Sequence, residues 1–263
     1  MQVIKNAQYK ATGLSPGKFV ENKKFIDCTF EKCNMSEYRF TNCEFEDCHF
    51  VNCNFKKTFL ALNNHNKAGK FLNCLFNNCN LTATSFRFPV IENCEFRNCV
   101  LKETNFDGSR FSDSRFIGTL DSCFFRGYSI YAGGSLFALS KFDPHKFPNP
   151  MMNVDFSQSK LVGVIFSHSI DLSHCIFPEG DNYIYISDLK KTMHCVIDQI
   201  NSGWNNDKEK ETGLNLIQQL YYNKDMQEQQ NSFIDYYIQE ELDQSEGNDL
   251  GRKLLDLIRS CNN

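Results

Sequence analysis

Phe40–Phe55 reads FTNCEFEDCHFVNCNF. Phe40, Phe45, Phe50 and Phe55 fall on every fifth residue, and Cys43, Cys48 and Cys53 stand two places before the last three. The large residue is the centre of a five-residue unit and the small one its minus-two position. The same phase runs back through Met35, Phe30 and Phe25. It resumes with Phe71, Phe76, Leu81, Phe86, Ile91, Phe96, Leu101, Phe106, Phe111 and Phe116. Minus-two positions hold Cys28, Cys33, Cys74, Cys79, Cys94 and Cys99, and elsewhere Thr84, Thr104, Ser109 or Ser114. A period of five fits neither an α-helix (about 3.6) nor a flat half-buried strand (about 2). Such a chain turns a corner at every repeat and winds into a coil.

Four five-residue sides bring each residue over the one about twenty positions earlier. Cys28 then lies under Cys48, Cys33 under Cys53, Phe30 under Phe50 and Phe76 under Phe96. Successive coils stack at about the 4.8 Å spacing of neighbouring strands. A sheet that flat needs ladders of side chains to hold it untwisted. Columns of Phe, Leu and small residues supply them, each large side chain contributing roughly 1.5–3 kcal/mol on burial.

This pattern resembles the pentapeptide-repeat family, whose unit has Phe or Leu at its centre and Ala, Cys, Ser, Thr or Val at minus two. The resemblance implies a mainly β fold, a right-handed quadrilateral β-helix of about seven to eight coils from Phe19 to about Phe177. Tyr38, at a minus-two position, departs from the pattern.

At 263 residues the chain holds one or two domains. The 25 phenylalanines against one tryptophan follow from the repeat. No apolar run reaches the roughly 18 residues of a membrane span, and Met1–Lys18 lacks the apolar stretch of a secretory signal. Of 13 cysteines, those at minus two, with Cys123 and Cys175 counted among them, read as buried small hydrophobes. They are expected as reduced thiols in a cytosolic compartment rather than as a disulfide scaffold. No CxxC is placed with a histidine at zinc-ligand spacing, and no metal or other cofactor is expected.

The phase divides the chain into a flexible segment or cap (1–18), the β-helix (19–180) and an α-helical cap or small helical domain (181–263). Asn63–Lys70 breaks phase and reads as a protruding loop. A second break follows Phe116, with centres at Phe125 and Ile130. Tyr131–Met152 is irregular, although Phe142 and Phe147 are still five apart. Phe156, Leu161, Phe166, Leu172 and Phe177 make the last coils. Beyond Pro178-Glu179-Gly180 helical spacing predicts Ser187–Ile200 with Ser187 as N-cap, Thr212–Tyr222, Phe233–Leu242 and Leu250–Ile258. Residues 1–18 carry three lysines and no acid. Residues 19–180 balance 17 basic against 17 acidic groups, and 181–263 set 8 basic against 15 acidic.

No catalytic set emerges from this pattern. His49, His65, His145, His168, His174 and His194 are scattered. His194 and Cys195 are neighbours on a helix and point different ways. Cys261 stands near the chain end. The chain reads as a non-enzymatic protein-binding module. Its candidate contacts are the irregular insertions: His65, Lys67 and Lys70 toward an acidic partner, and Tyr131, Leu136 and Phe137 as apolar anchors. Phe137 folding back onto the coil is the alternative for that residue.

A β-helix rich in Cys and Phe, followed by helices, also resembles bacterial type III secreted effectors. These include pentapeptide-repeat proteins of the PipB kind and the start of HECT-like ubiquitin ligases of the SopA and NleL kind. The resemblance implies a bacterial protein secreted into a host cell, or else a bacterial cytoplasmic one, with a host protein as partner. The part of a HECT-like ligase that recognises substrates is one alternative. A DNA mimic acting on gyrase is the other. It requires an acidic rod, and the neutral charge of 19–180 does not offer one, so nucleic acid is not an expected partner.

Overall fold

The computed structural model describes residues 1–14, 17–62, 68–129, 143–221, 226, 228–235 and 250–262. Three parallel sheets wind around one axis. The first face stacks Gln2–Lys5, Lys23–Ile26, Glu44–Glu46, Lys70–Leu72, Val90–Glu92 and Arg110–Ser112. The second starts with Gln8–Lys10, Thr29–Glu31, His49–Val51, Leu75–Asn77 and Glu95–Arg97. It continues through Arg115–Asp121 to Asp155–Val162. The fourth carries Phe19–Glu21, Arg39–Thr41, Phe59–Leu62, Ser85–Phe86, Asn105–Phe106, Phe124–Arg126 and Ile165–Ser167. Single bridges Asn34–Asn54–Asn80–Val100 mark the third face. The fold is a four-sided parallel β-helix, mainly β, with helices at its C-terminal end.

The corners explain the period. The second residue after each centre takes positive φ, as at Asn22, Asp27, Asn42, Asp47, Asn73 and Asn93. Asn and Asp tolerate that left-handed region better than most residues. Their side chains also form ladders outside the coil, Asn42 to Asn22 at 2.5 Å and Asn93 to Asn73 at 2.9 Å. Inside, the centres are buried and their rings stack coil on coil. On the second face Phe30, Phe50, Phe76 and Phe96 follow one another at 4.8, 4.7 and 4.8 Å between centroids.

The minus-two residues do more than fill space. Cys53 Sγ donates to Phe30 O at 3.2 Å, Cys79 Sγ to Phe50 O at 3.3 Å and Cys99 Sγ to Phe76 O at 3.3 Å. Thr84 Oγ1 donates to Phe55 O at 2.7 Å and Thr104 Oγ1 to Leu81 O at 2.9 Å. The slot takes Cys, Ser and Thr because each is small and carries a donor for a carbonyl one coil earlier.

Several expectations are revised. Gln2–Lys5 and Gln8–Lys10 in the 1–18 segment are strands that pair with Lys23–Ile26 and Thr29–Glu31. Ile4, Tyr9 and Leu14 keep the five-residue phase and pack against the core. Tyr38 is buried, and a Cβ at Gly13 would lie 2.5 Å from its hydroxyl, so the glycine makes room for the oversized residue. Phe147 is 40% exposed and is no centre; Ile130 and Phe142 lie outside the described residues. Asn149 closes the coil after the second insertion. Its Oδ1 accepts from Phe111 N at 2.9 Å, and its Nδ2 donates to Arg126 O at 3.3 Å.

Beyond the last coil, helix α1 spans Leu189–Gly203, α2 Asp207–Tyr221 and α3 Leu250–Cys261. Asp188, not Ser187, caps α1, accepting from Lys191 N at 2.9 Å. Asn206 caps α2, accepting from Lys208 N at 3.0 Å and Glu209 N at 3.2 Å. Phe233 and Ile234, expected in a helix, belong to the strand Ser232–Ile234, which pairs antiparallel with Ile184–Ile186. A partner nearly fifty residues away overrides the local helical spacing. Leu189, Met193, Val196 and Ile200 of α1, Ile217 of α2 and Leu254, Leu255 and Ile258 of α3 share a second core.

This region caps the β-helix. Gln229 Oε1 accepts from Ile170 N at 3.2 Å and its Nε2 donates to Ile170 O at 2.6 Å. Asn231 Oδ1 accepts from Leu172 N at 2.9 Å, and Asp235 Oδ2 from Val164 N at 2.7 Å. Phe233 stacks on Phe177 with centroids 4.1 Å apart, which adds a ring from the cap to the second-face column. Eleven cysteines are free, but Cys195 and Cys261 form a disulfide between α1 and α3 with Cα atoms 5.8 Å apart. Cys261, expected near a frayed chain end, is buried at the end of α3.

Candidate functional site

The interior is lined by the buried centres and minus-two side chains. Burial pushes the Cys43 thiol up to about 11 and the Cys123 and Cys175 thiols up to about 12, so these sulfurs stay protonated at neutral pH. Among the described residues no group of three or more His, Cys, Asp or Glu is placed to hold a metal ion. Among the described residues no helix is long and apolar enough to cross a membrane. Function therefore has to be sought on the outer columns.

The fourth face differs from the other faces. Its residues just before the centre include Phe19, Arg39 and Phe59, one above another in the strand register. Phe19 is 56% exposed. The Arg39 guanidinium lies between the two rings, 5.9 Å from the Phe19 centroid and 5.6 Å from that of Phe59. Arg87 covers the same Phe59 ring at 5.3 Å. Each cation–π contact contributes about 0.5–1 kcal/mol at an exposed site. It also holds the guanidinium in place through stacking on an aromatic face. Arg39 has no carboxylate partner among the described residues.

Farther along the same face the cation is consumed internally. Arg126 lies over Phe124 at 5.5 Å, and its Nη1 stands 3.5 Å from Asp107 Oδ1 and 3.2 Å from Asn105 Oδ1. Asp107 is fully buried and accepts a hydrogen bond from the Ser129 hydroxyl. This cluster seats the start of the second insertion on the rod. The stripe thus consists of exposed Phe19 and Arg39 backed by half-buried Phe59 and Arg87.

The acidic groups make no strip. Glu44, Glu46 and Asp47 gather on the first face, but Lys24 Nζ lies 2.7 Å from Glu46 and 3.8 Å from Glu44. The hydrogen bond to Glu46 holds the Lys24 ammonium above its ordinary value. At the corner between first and second faces runs an open groove of about 590 Å³. Its polar groups are already paired, Asn153 to Asp113 at 2.9 Å, Arg97 to Glu95 at 2.6 Å and Arg115 to Asp155 at 3.0 Å.

Of the residues expected to bind, His65, Lys67, Tyr131, Leu136 and Phe137 lie outside the described residues. Lys70 starts a first-face strand instead of ending a loop, with its ammonium 3.8 Å from Glu44. Residues 63–67 and 130–142, outside the described residues, both follow a fourth-face strand, Phe59–Leu62 and Phe124–Arg126. Those two strands are three coils apart, about 14 Å along the axis. The aromatic–arginine stripe occupies the first position of the fourth-face strands. It was readable in advance, since Phe19, Arg39 and Phe59 are spaced by twenty at a position that should be polar.

The pentapeptide-repeat family model matches residues 24–60 and 74–118 in eight copies. No curated protein matches the chain by sequence. Among solved structures, a trypsin-treated form of QnrB1, a plasmid-mediated fluoroquinolone resistance protein, is 16% identical. That match covers 62% of this chain and 91% of that one, with a TM-score of 0.23. HetL, a pentapeptide repeat protein involved in heterocyst differentiation regulation in the cyanobacterium Nostoc, is 10% identical over 68% and 91%, with a TM-score of 0.34. A pentapeptide repeat protein from the Arabidopsis thaliana thylakoid lumen is 12% identical over 49% and 64%, with a TM-score of 0.20. The four-sided architecture rests on this chain's own strand register and on its repeats.

Proposed function

We propose that this chain is a non-catalytic protein-binding module whose fourth face receives an acidic surface of a protein partner. Arg39 carries the reading: a guanidinium held between Phe19 and Phe59, without a carboxylate partner among the described residues. A pre-positioned arginine loses less freedom on pairing than a mobile one, and arginine and aromatic residues dominate binding hot spots. The partner belongs to a host cell and the chain is a bacterial effector; the layout of coil followed by helices supports that setting. Substrate recognition within a HECT-like ligase and action on gyrase are the alternatives. The local group Glu44, Glu46 and Asp47 is the acidic feature a gyrase mimic would use, and Lys24 offsets it.

The test is a photo-crosslinking amino acid placed at Thr41 on the fourth face or at Asn77 on the second, exposed to host lysate. A discrete crosslinked product is expected from Thr41 only, and Arg39→Glu is expected to abolish it. Equal products from both faces, or indifference to Arg39→Glu, would remove the fourth-face reading. Inhibition of gyrase supercoiling by the wild-type chain, lost on Glu44→Lys, would favour the mimic instead. An N-terminal reporter fusion that fails to enter host cells through a type III apparatus would remove the effector setting.

A further inference from the structure

We infer that Cys195 and Cys261 form a reversible redox clasp that governs how tightly the helical cap sits on the last coil. It stands apart from the fourth-face reading and can fail without it. These are the two cysteines of the helical region; the eleven free ones sit in the coil. The coil thiols point inward and donate to carbonyls of the preceding coil, as Cys53, Cys79 and Cys99 do. The clasp sulfurs lie instead on two helices separated by 66 residues of chain. Cys195 is half-buried while Cys261 is 5% exposed, so an incoming thiol reaches Cys195 first. Gln199, one turn along α1, points its Nε2 at both sulfurs, 3.5 Å from Cys195 and 3.4 Å from Cys261. It is a positioning residue, donating to whichever sulfur leaves as thiolate.

The exchange balances with a small thiol such as glutathione. Its thiolate attacks Cys195 Sγ, forms a mixed disulfide and expels Cys261 as a thiolate, which takes up a proton. A second glutathione thiol, losing its proton, displaces Cys195 as a thiol. Two glutathione thiols have become glutathione disulfide, and the clasp two thiols. Oxidation by glutathione disulfide is the reverse.

The clasp reaches the coil through a short chain of contacts. Asn262, beside Cys261, donates from Nδ2 to Tyr185 O at 2.8 Å. Tyr185 lies in the strand that pairs with Ser232–Ile234. That strand is flanked by Gln229, Asn231 and Asp235, which hold the backbone N–H groups of Ile170, Leu172 and Val164. The N-terminus of α1 is tied to the same segment, with Leu189 N donating to Gln230 O at 2.9 Å. Opening the disulfide frees the end of α3 to move away, and with it the support of the closing strand.

The test uses the full chain in glutathione buffers of graded ratio. Alkylation without denaturant should label no buried coil cysteine in either form, leave half-buried Cys175 the same in both, and gain Cys195 and Cys261 on reduction, while denaturation of the reduced form exposes all 13. Amide exchange at Val164, Ile170 and Leu172 should speed by about tenfold or more on reduction, with Phe76 and Phe96 unchanged. Cys195→Ser with Cys261→Ser should show the fast exchange in any buffer, and Gln199→Leu should slow the approach to equilibrium. Unchanged exchange at the three amides would overturn the clasp. So would buried coil cysteines that label as fast as Cys195, or a serine double variant that still responds to glutathione.

Discussion

The two ends of the tube are finished differently. At the first coil, Gln2–Lys5, Gln8–Lys10 and Phe19–Glu21 are the outermost described strands of their sheets. Lys5, Lys10 and Lys18 stand there, the kind of charge that discourages a bare edge from pairing with another chain. At the last coil, amide and carboxylate side chains stand in for the missing strand, and Phe233 closes the ring column. One end tolerates its unpaired backbone in water; the other satisfies it with protein. Since each coil touches only its neighbours, a defect at either end should stay local while one in the middle divides the rod.

The ring column makes that contrast measurable. Phe96→Ala, in mid-rod, should cost about 3–5 kcal/mol because the cavity is sealed on both sides. Phe233→Ala at the capped end should cost about 3 kcal/mol. Tyr9→Ala at the open end, where the ring is only partly buried, should cost about 1–2 kcal/mol. Urea titration with exchange measured coil by coil gives the order. If Tyr9→Ala cost as much as Phe96→Ala, the two ends would not differ as described.

Asn231→Leu sharpens the comparison at the level of one hydrogen-bonded group. It removes the acceptor for Leu172 N and the donor to Asp171 Oδ1 at 2.8 Å, leaving a buried N–H unpaired. The expected cost is about 1–3 kcal/mol, with faster exchange at Leu172. Gln8→Leu on the open edge should stay within about 0.5 kcal/mol, as surface substitutions do.

Much of this contrast could not be read from the chain. The coils were legible because one spacing recurs, and Ile4, Tyr9 and Leu14 even continue it into the first eighteen residues. They were passed over because Gln2, Ala7 and Thr12 bring no cysteine to mark the phase. The cap is different. Gln229 and Asn231 are ordinary polar residues whose partners lie 59 residues away. Phe233 and Ile234 fit a helical face as well as a strand until Ile184–Ile186 is placed beside them. Cys195 and Cys261 each gave the same signal as any isolated cysteine on a helix. Periodic structure announces itself locally, whereas a cap is defined by contacts between distant segments. The fourth-face stripe falls between the two: its spacing was visible, but only column-wise reading of the outward positions brings it out.

Acid should loosen the capped end. Burial by itself raises the Asp171 carboxyl, but hydrogen bonds from Ser173 and Asn231 outweigh it and hold the group below its ordinary value. A carboxylate depressed in the folded state stabilises fully above its unfolded pKa of about 3.9, and that contribution is lost as pH falls through the folded value. Trp204, the one tryptophan, packs against the cap core and reports it by fluorescence. The cap melting temperature should fall between about pH 5 and pH 2, and Asp171→Asn should flatten that slope. At the open end Glu37 is also lowered, by Lys18, but it is fully exposed and should leave no comparable trace.

The smallest expected effect lies at the open end, where Tyr38 occupies a slot that elsewhere takes cysteine. A Cβ added at Gly13 would meet its hydroxyl at 2.5 Å, while the next ring atom is 3.7 Å away. The obstacle is the far tip of one side chain, and no described strand packs on the outer side of the first coil. Gly13→Ala should therefore cost about 1 kcal/mol, at the low end of overpacking, and Tyr38→Phe should restore most of it. A double-mutant cycle isolates the pair. Additive effects of the two substitutions would mean that Gly13 does not exist to admit Tyr38. A cost as large as a mid-rod cavity would mean that the first coil is held as firmly as the interior, which would break the contrast between the ends.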